Sequence, residues 1–290
     1  MMARPDRSDE TYILRTASPD AVGILATVMS FLADRGLSVT ESHDFADPAS
    51  SRFFVWLRFH APSGFDPAGF GEAFGEVAMR HDLAWSLRAA SHRPKALILA
   101  SKMDHCLADL LFRHRADRLG ADVVGVVSNH EDARWHAERH DVPFRHIPVT
   151  PETKADAEKE LLSLIEESGA DFVVLARYMQ VLSDDFCRKL EGRCINIHHS
   201  ALPSFKGGRP YHQAYERGVK LIGATAHYVT AKLDEGPIIA QDAVMIDHRA
   251  TPSRMIEIGR ETEARVLARA VRAHAEGRVF LSGLRTVVFD

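Results

Sequence analysis

Cysteine is scarce in this sequence, with three residues, Cys106, Cys187 and Cys194, in a chain of 290. They are odd in number, widely spaced and never arranged as CxxC, which argues against a disulfide framework and a zinc–thiolate site and fits a reducing cytoplasm. Long apolar runs are lacking as well. No stretch reaches the roughly 20 residues needed to span a bilayer, and the opening MMARPDRSDE has no apolar segment of the kind a signal peptide carries, so neither membrane insertion nor secretion is expected. There is no basic excess: the net charge is -4, and nucleic acid is not an expected partner. Metal-ligand patterns are missing despite 16 histidines, since no HExxH and no HxH with a carboxylate occurs, and no metal is expected.

What is present is an ordinary globular composition, 46% hydrophobic and 26% charged, in a chain long enough for one large domain or two of ordinary size. The rhythm changes near residue 90, so two domains are expected, 1–90 and 91–290. In the first, TYILRTA (11–17) reads as a strand, and Ile24, Leu25, Val28, Met29 and Leu32 recur at helical spacing. A second strand over 38–47, the turn DPASS and the strand RFFVWLRFH form a hairpin, with Phe53, Val55, Leu57 and Phe59 on one face. A helix carrying Phe70, Phe74, Val77 and Ala78 and the strand DLAWSLRAA complete a βαββαβ order, which predicts an antiparallel sheet with two helices on one face.

This unit resembles an ACT domain, a ferredoxin-like module. The resemblance implies a regulatory or oligomerisation role, pairing with a second copy, and binding of a small amino acid at the loop Ser18 to Gly23, with Asp20 and Gly23 as candidate effector contacts. Backbone amides at a helix N-terminus suit a carboxylate, and glycine permits close approach. Read from the residues alone, Ser18 or Asp20 simply caps the helix.

From residue 94 the apolar strands KALILAS, DVVGVVS, DFVVLARY and RCINIHHS alternate with the amphipathic segments LADLLFRHRADRLG and KADAEKELLSLIEESG. This predicts a Rossmann-like, mostly parallel α/β sheet, whose ligands sit beyond the carboxyl ends of the strands. His198 and His199 emerge at such an end. The segments LARYMQVLS (175–183) and TAHYVTAKLDEGPIIAQ (225–241) are expected to frame the same crevice. The assembled site holds Asn196, His198, His227 and Asp234, with Tyr178, Met179, Gln180, Val181 and Leu182 against the substrate. An amide that binds a carbonyl oxygen, an imidazole that moves protons and a carboxylate that holds the imidazole suit acyl chemistry without a nucleophilic side chain. The segment 204–218 reads equally as a flexible cover or an ordinary connection. Downstream, PIIAQDAVMI reads as a strand, and a long helix follows with Thr251 as N-cap and Pro252 in its first turn. That helix has no clean apolar stripe along its whole length, so part of it is expected to face a partner subunit. RVFLSGLRTVVF reads as a hairpin turning at Ser282 and Gly283.

Together LARYMQVLS, NIHHSALPSFKG and LDEGPI resemble the 10-formyltetrahydrofolate-using formyltransferase and hydrolase superfamily. With an ACT-like domain in front, the chain from about residue 10 to 290 is similar to the formyltetrahydrofolate deformylase family. The resemblance implies a catalytic trio of Asn196, His198 and Asp234. Asn196 would polarise the formyl oxygen, His198 would stabilise the oxyanion and move protons, and Asp234 would hold a water or His198; His199 and His227 would be supporting. It implies a folate substrate, no cofactor, a homo-oligomer, and release of formate and tetrahydrofolate that balances one-carbon pools for purine synthesis. Phosphate-binding transferases of the superfamily carry a Gly-rich loop after the first strand of this domain, but here residues 100–111 contain no glycine. His199 stands where transferases commonly have Pro, Gly or Ala. Water is therefore the expected acceptor. A transferase to a small amine or a tRNA, and a folate sensor without catalysis, are the competing readings; the first is disfavoured by the glycine-free loop and the lack of a basic tail, the second by the intact trio.

Overall fold

The computed structural model describes residues 10–200 and 210–290. Two compact units emerge, residues 1–92 with 277–282 and 287–290, and residues 93–276 with 283–286. The first unit contains β1 (Glu10–Pro19), α1 (Ile24–Ala33), β2 (Ser38–Asp47), β3 (Arg52–Ala61), α2 (Pro67–Arg80) and β4 (Ala84–Ala89). The second contains β5 (Lys95–Ala100), α3 (His105–Arg115), β6 (Asp122–Ser128), α4 (Arg134–Arg139), β7 (Phe144–His146), α5 (Lys154–Glu167), β8 (Phe172–Ala176), α6 (Asp184–Lys189) and β9 (Cys194–His198). It continues with α7 (Pro210–Glu216), β10 (Leu221–Tyr228), β11 (Ile238–Met245) and α8 (Pro252–Ala275). A hairpin of β12 (Val279–Ser282) and β13 (Arg285–Val288) follows, as the turn chemistry predicts, with Gly283 at φ 62°. No helix among the described residues is long and apolar enough to cross a membrane.

The first unit is the expected ferredoxin-like sheet, ordered β2-β3-β1-β4 and antiparallel throughout. Alternation places Tyr12, Leu14, Val55, Leu57 and Phe59 under α1 and α2, against Val28, Phe31, Phe70 and Phe74. The opposite face is apolar too. Ile13, Phe54 and Trp56 pack with Phe280 and Phe289, which is why the C-terminal residues group with this unit although the sequence reading placed them with 91–290. The loop before α1 differs from expectation: its N-cap is Gly23 at φ 90°, with no side-chain cap. Ser18 is instead buried, and neither it nor exposed Asp20 caps the helix.

The second unit has a seven-stranded sheet ordered β11-β10-β9-β8-β5-β6-β7. β9, β8, β5, β6 and β7 are parallel, and β10 and β11 are antiparallel to their neighbours. From β5 the strand order runs outward in both directions, so a crevice opens beyond the carboxyl ends of β5 and β8. Leu97, Leu99, Val173 and Leu175 pack against Leu161 and Ile165 of α5 on one face. α8 crosses β9, β10 and β11 and meets α3, capped by Thr251, whose side chain accepts from the Arg254 N–H. Its buried row includes Met255, Val266, Leu267 and Val271, together with one charged residue, Glu263.

Candidate active site

β9 carries Asn196 and His198 two positions apart, so both side chains turn to one face while Ile195 and Ile197 are buried on the other. Antiparallel β10 sets His227 directly opposite Asn196. The pairing of β10 with β11 shifts register at Ala226 and His227, and the intervening turn brings Asp234 back over both histidines. Asp234 sits at φ 56°, a left-handed conformation that Asp tolerates better than most residues. Gly236 closes the turn, because a Cβ there would run into the Tyr228 carbonyl oxygen.

These residues line one cavity of about 940 Å³, and Tyr178, Met179, Gln180, Val181, Leu182 and His199 line it as well. Every cavity residue expected from the sequence is therefore brought together. Asp20 and Gly23 lie in the exposed β1–α1 loop of the first unit. Residues 204–209 of the expected cover lie outside the described residues, and 210–216 form α7.

Hydrogen-bond chemistry assigns the protons. His227 is 2% exposed, and its Nδ1 is 2.8 Å from the Tyr228 carbonyl oxygen. A carbonyl only accepts, so Nδ1 carries a proton, and in the neutral ring Nε2 accepts from Asn196 Nδ2, 3.2 Å away. One amide hydrogen of Asn196 is thus anchored and the other remains for the cavity. Asp234 Oδ2 is 3.2 Å from His198 Nδ1, and Oδ1 is 3.6 Å from His227 Nε2. The hydrogen bond from His198, and after it the neighbouring His227 ring, hold the Asp234 carboxyl far below the usual carboxylate range against the opposing effect of burial. Tyr178 is pushed up to about 12 by burial.

A second polar group adjoins this trio, and the sequence reading did not foresee it. Arg177, directly after β8, is 7% exposed at φ 61°, a conformation that costs a non-glycine residue about 1–3 kcal/mol. Its Nη1 donates to His199 Nδ1 at 2.8 Å, and its Nε is 3.4 Å from Glu263 Oε2. Glu263, 2% exposed, also pairs with His105 Nε2 at 2.8 Å and accepts from Tyr211 Oη at 2.9 Å. Burial raises its carboxyl, but His105, Arg177 and Tyr211 outweigh that effect and hold it below the ordinary range. Tyr211 reaches Glu263 over Gly259, where any Cβ would collide with the phenol. His105, Cys106 and Glu263 have donor atoms within 4.8 Å of one another. Glu263 is already engaged, and burial pushes the Cys106 thiol well up, so the group reads as a hydrogen-bond network. An arginine immediately after a wholly apolar strand was the one signal available in the sequence. Glu263 gave none, since a charge on a long helix ordinarily faces water.

The loop between β5 and α3 is tied to its neighbours through Ser101. Ser101 Oγ donates to Asn129 Oδ1 at 2.6 Å and accepts from the Met179 N–H at 3.0 Å, Lys102 is exposed, and the residue at the α3 N-cap is the acidic Asp104.

An amide, an imidazole and a carboxylate converge beyond the strand ends of an open α/β sheet, a set suited to acyl chemistry. The family model described as formyl transferase matches residues 94–271. A curated relative from Corynebacterium sp. (strain P-1), named formyltetrahydrofolate deformylase, is 49% identical over 96% of this chain and 97% of its own length. A crystal structure of a formyltetrahydrofolate deformylase from Burkholderia mallei superposes with a TM-score of 0.93 at 48% identity, covering 97% of this chain and all of that one. A glycinamide ribonucleotide transformylase 1 from Symbiobacterium toebii covers 71% of this chain and 98% of its own at a TM-score of 0.65 and 31% identity. The chain belongs to the formyl transferase family and, within it, to the formyltetrahydrofolate deformylases.

Proposed function

We propose that this protein hydrolyses 10-formyltetrahydrofolate to formate and tetrahydrofolate, with water as the formyl acceptor. The observation that carries the reading is the convergence of Asn196, His198 and Asp234 in one cavity, with Asp234 3.2 Å from His198 Nδ1. The formyl group enters beyond β9. The free amide hydrogen of Asn196 polarises its oxygen, His198 stabilises the tetrahedral oxyanion and transfers protons, and Asp234 fixes the ring that does so. Exposed Met179, Val181 and Leu233 supply apolar surface at the cavity for the flat rings of a folate. No cofactor enters this reading. The glycine-free loop after β5 supports water over a phosphorylated acceptor.

The experiment is formate release from 10-formyltetrahydrofolate with no amine present, run beside Asp234→Asn. Rapid release that depends on Asp234 is expected; turnover only after an amine is supplied would make the protein a transferase.

The ACT-like unit supports two further parts of the reading, an amino-acid effector at Asp20 and Gly23 and assembly into a homodimer or homotetramer. Gly23 and a fully exposed Val22 leave the loop open to a ligand. Titration calorimetry with glycine, methionine and serine that gives no heat, together with unchanged activity, would remove the effector, and sedimentation as a monomer at micromolar concentration would remove the oligomer.

A further inference from the structure

We propose that His199 holds the attacking water and that the Arg177–His199 pair selects water over an amine as the formyl acceptor, an inference that rests on the hydrolase reading above.

The argument begins with two adjacent imidazoles anchored at equivalent atoms by opposite chemistry. His199 Nδ1 is 2.8 Å from Arg177 Nη1. A guanidinium only donates, so Nδ1 accepts and the ring proton sits on Nε2. Burial, then Arg177 and His198 beside it, pulls His199 down to about 4, and the ring stays neutral at pH 7. His198 is the reverse case: its Nδ1 faces the Asp234 carboxylate at 3.2 Å, which only accepts, so Nδ1 carries the proton and Nε2 offers its lone pair. The rings stack with centroids 4.7 Å apart and planes 25° from parallel. Both Nε2 atoms are buried without a hydrogen-bond partner among the described residues, and both residues line the same cavity.

One N–H donor beside one lone-pair acceptor is the complement of a single water molecule. Water accepts from His199 Nε2–H through one lone pair, donates to His198 Nε2, and keeps its second lone pair for the formyl carbon. A neutral amine has a single lone pair. Spent on His199, it cannot attack; left to attack, it leaves His199 Nε2–H buried and unpaired. The step balances as follows. The free lone pair of water forms the C–O bond while the carbonyl π pair moves to oxygen, and the water proton passes to His198 Nε2. On collapse the C=O bond re-forms, the C–N bond breaks, and its electron pair on the leaving nitrogen takes the proton from His198. The products are formic acid, which ionises to formate, and tetrahydrofolate. Arg177 is a positioning residue in this scheme: it fixes which nitrogen of His199 carries the proton, and its pairing with Glu263 at 3.4 Å fixes the guanidinium.

The test supplies 2,2,2-trifluoroethylamine, a small amine that is neutral at pH 7, together with 10-formyltetrahydrofolate, and measures formate and the fluorinated formamide for each protein. The unaltered protein is expected to give formate alone. His199→Phe keeps a ring against His198 but has no N–H; kcat should fall by roughly 100-fold, the scale for a lost donor at an acyl centre, with KM little changed and the formamide share rising. Arg177→Gly accepts the same backbone conformation, frees the His199 tautomer and should move the product ratio in the same direction, which keeps the test decisive if His199→Phe does not fold. His199→Gln retains an N–H donor and should restore the preference for water. An unchanged product ratio in His199→Phe or, if that variant does not fold, in Arg177→Gly overturns the inference even where kcat falls. Absence of formate from the unaltered protein would instead sink the hydrolase reading on which it rests.

Discussion

His227 Nε2 and Asn196 Nδ2 lie 3.2 Å apart across paired strands, with the far side of the imidazole tied to the Tyr228 carbonyl. The histidine orients an amide that would otherwise rotate. In His227→Leu the amide loses its anchor inside a buried site, and kcat/KM for formate release should drop by about 10- to 100-fold, matching the roughly 1–3 kcal/mol left when one partner of a buried hydrogen bond is removed. Unaltered kcat/KM in a folded variant would show that Asn196 is held by something else.

Glu263 meets Arg177, His105 and Tyr211 in the interior of the second unit. Glu263→Gln leaves the Arg177 charge buried without its counter-ion, and breaking a buried pair from one side costs about 3–5 kcal/mol. The urea midpoint of the second unit should fall accordingly. A midpoint within error of the parent would mean that the guanidinium finds another partner.

Stability should carry one proton's worth of pH dependence from His199. The unfolded imidazole titrates near the ordinary 6.5 and the folded one near 4. Between those values the unfolded chain binds the extra proton, so stability falls as pH drops from 6.5 towards 4 and levels off below, with a slope of at most about 1.4 kcal/mol per pH unit. Urea midpoints measured across this range should show a shallower decline in His199→Gln. Parallel curves for parent and variant would contradict the half-buried, neutral ring.

Gly236→Ala tests the turn that carries Asp234. The new methyl would overlap the Tyr228 carbonyl and press on His227 Nδ1 at 3.2 Å, displacing the turn. A misplacement on the order of 1 Å costs roughly 100-fold in rate, so kcat should fall to that extent while circular dichroism retains the parent spectrum. Full activity would show that the turn re-forms elsewhere.

Local pattern made the larger part of this molecule legible. Helical spacing at Val28 and Leu32 and alternation at Val55, Leu57 and Phe59 announced the first sheet and its helices, and those residues do form one core. Asn196, His198 and Asp234 were readable because they lie in two short motifs on neighbouring elements. The network around Glu263 was not, since His105, Arg177, Tyr211 and Glu263 come from four separate segments and His105 and Glu263 are 158 positions apart. No local periodicity encodes such a meeting. The cap of α1 was misread because a glycine in the left-handed conformation, not a side-chain oxygen, starts that helix. RFFVWLRFH held a clue that went unused: Phe54 and Trp56 are as apolar as the residues that alternate with them, as required of a strand covered on both faces.

That second covering has a consequence for synthesis. Phe280 and Phe289 are the residues laid against Ile13, Phe54 and Trp56, so the ribosome makes the sheet before its lining. Until residues 280–289 follow, the first unit keeps a tryptophan-bearing face uncovered, and a chain cut short before Phe280 leaves that apolar face exposed.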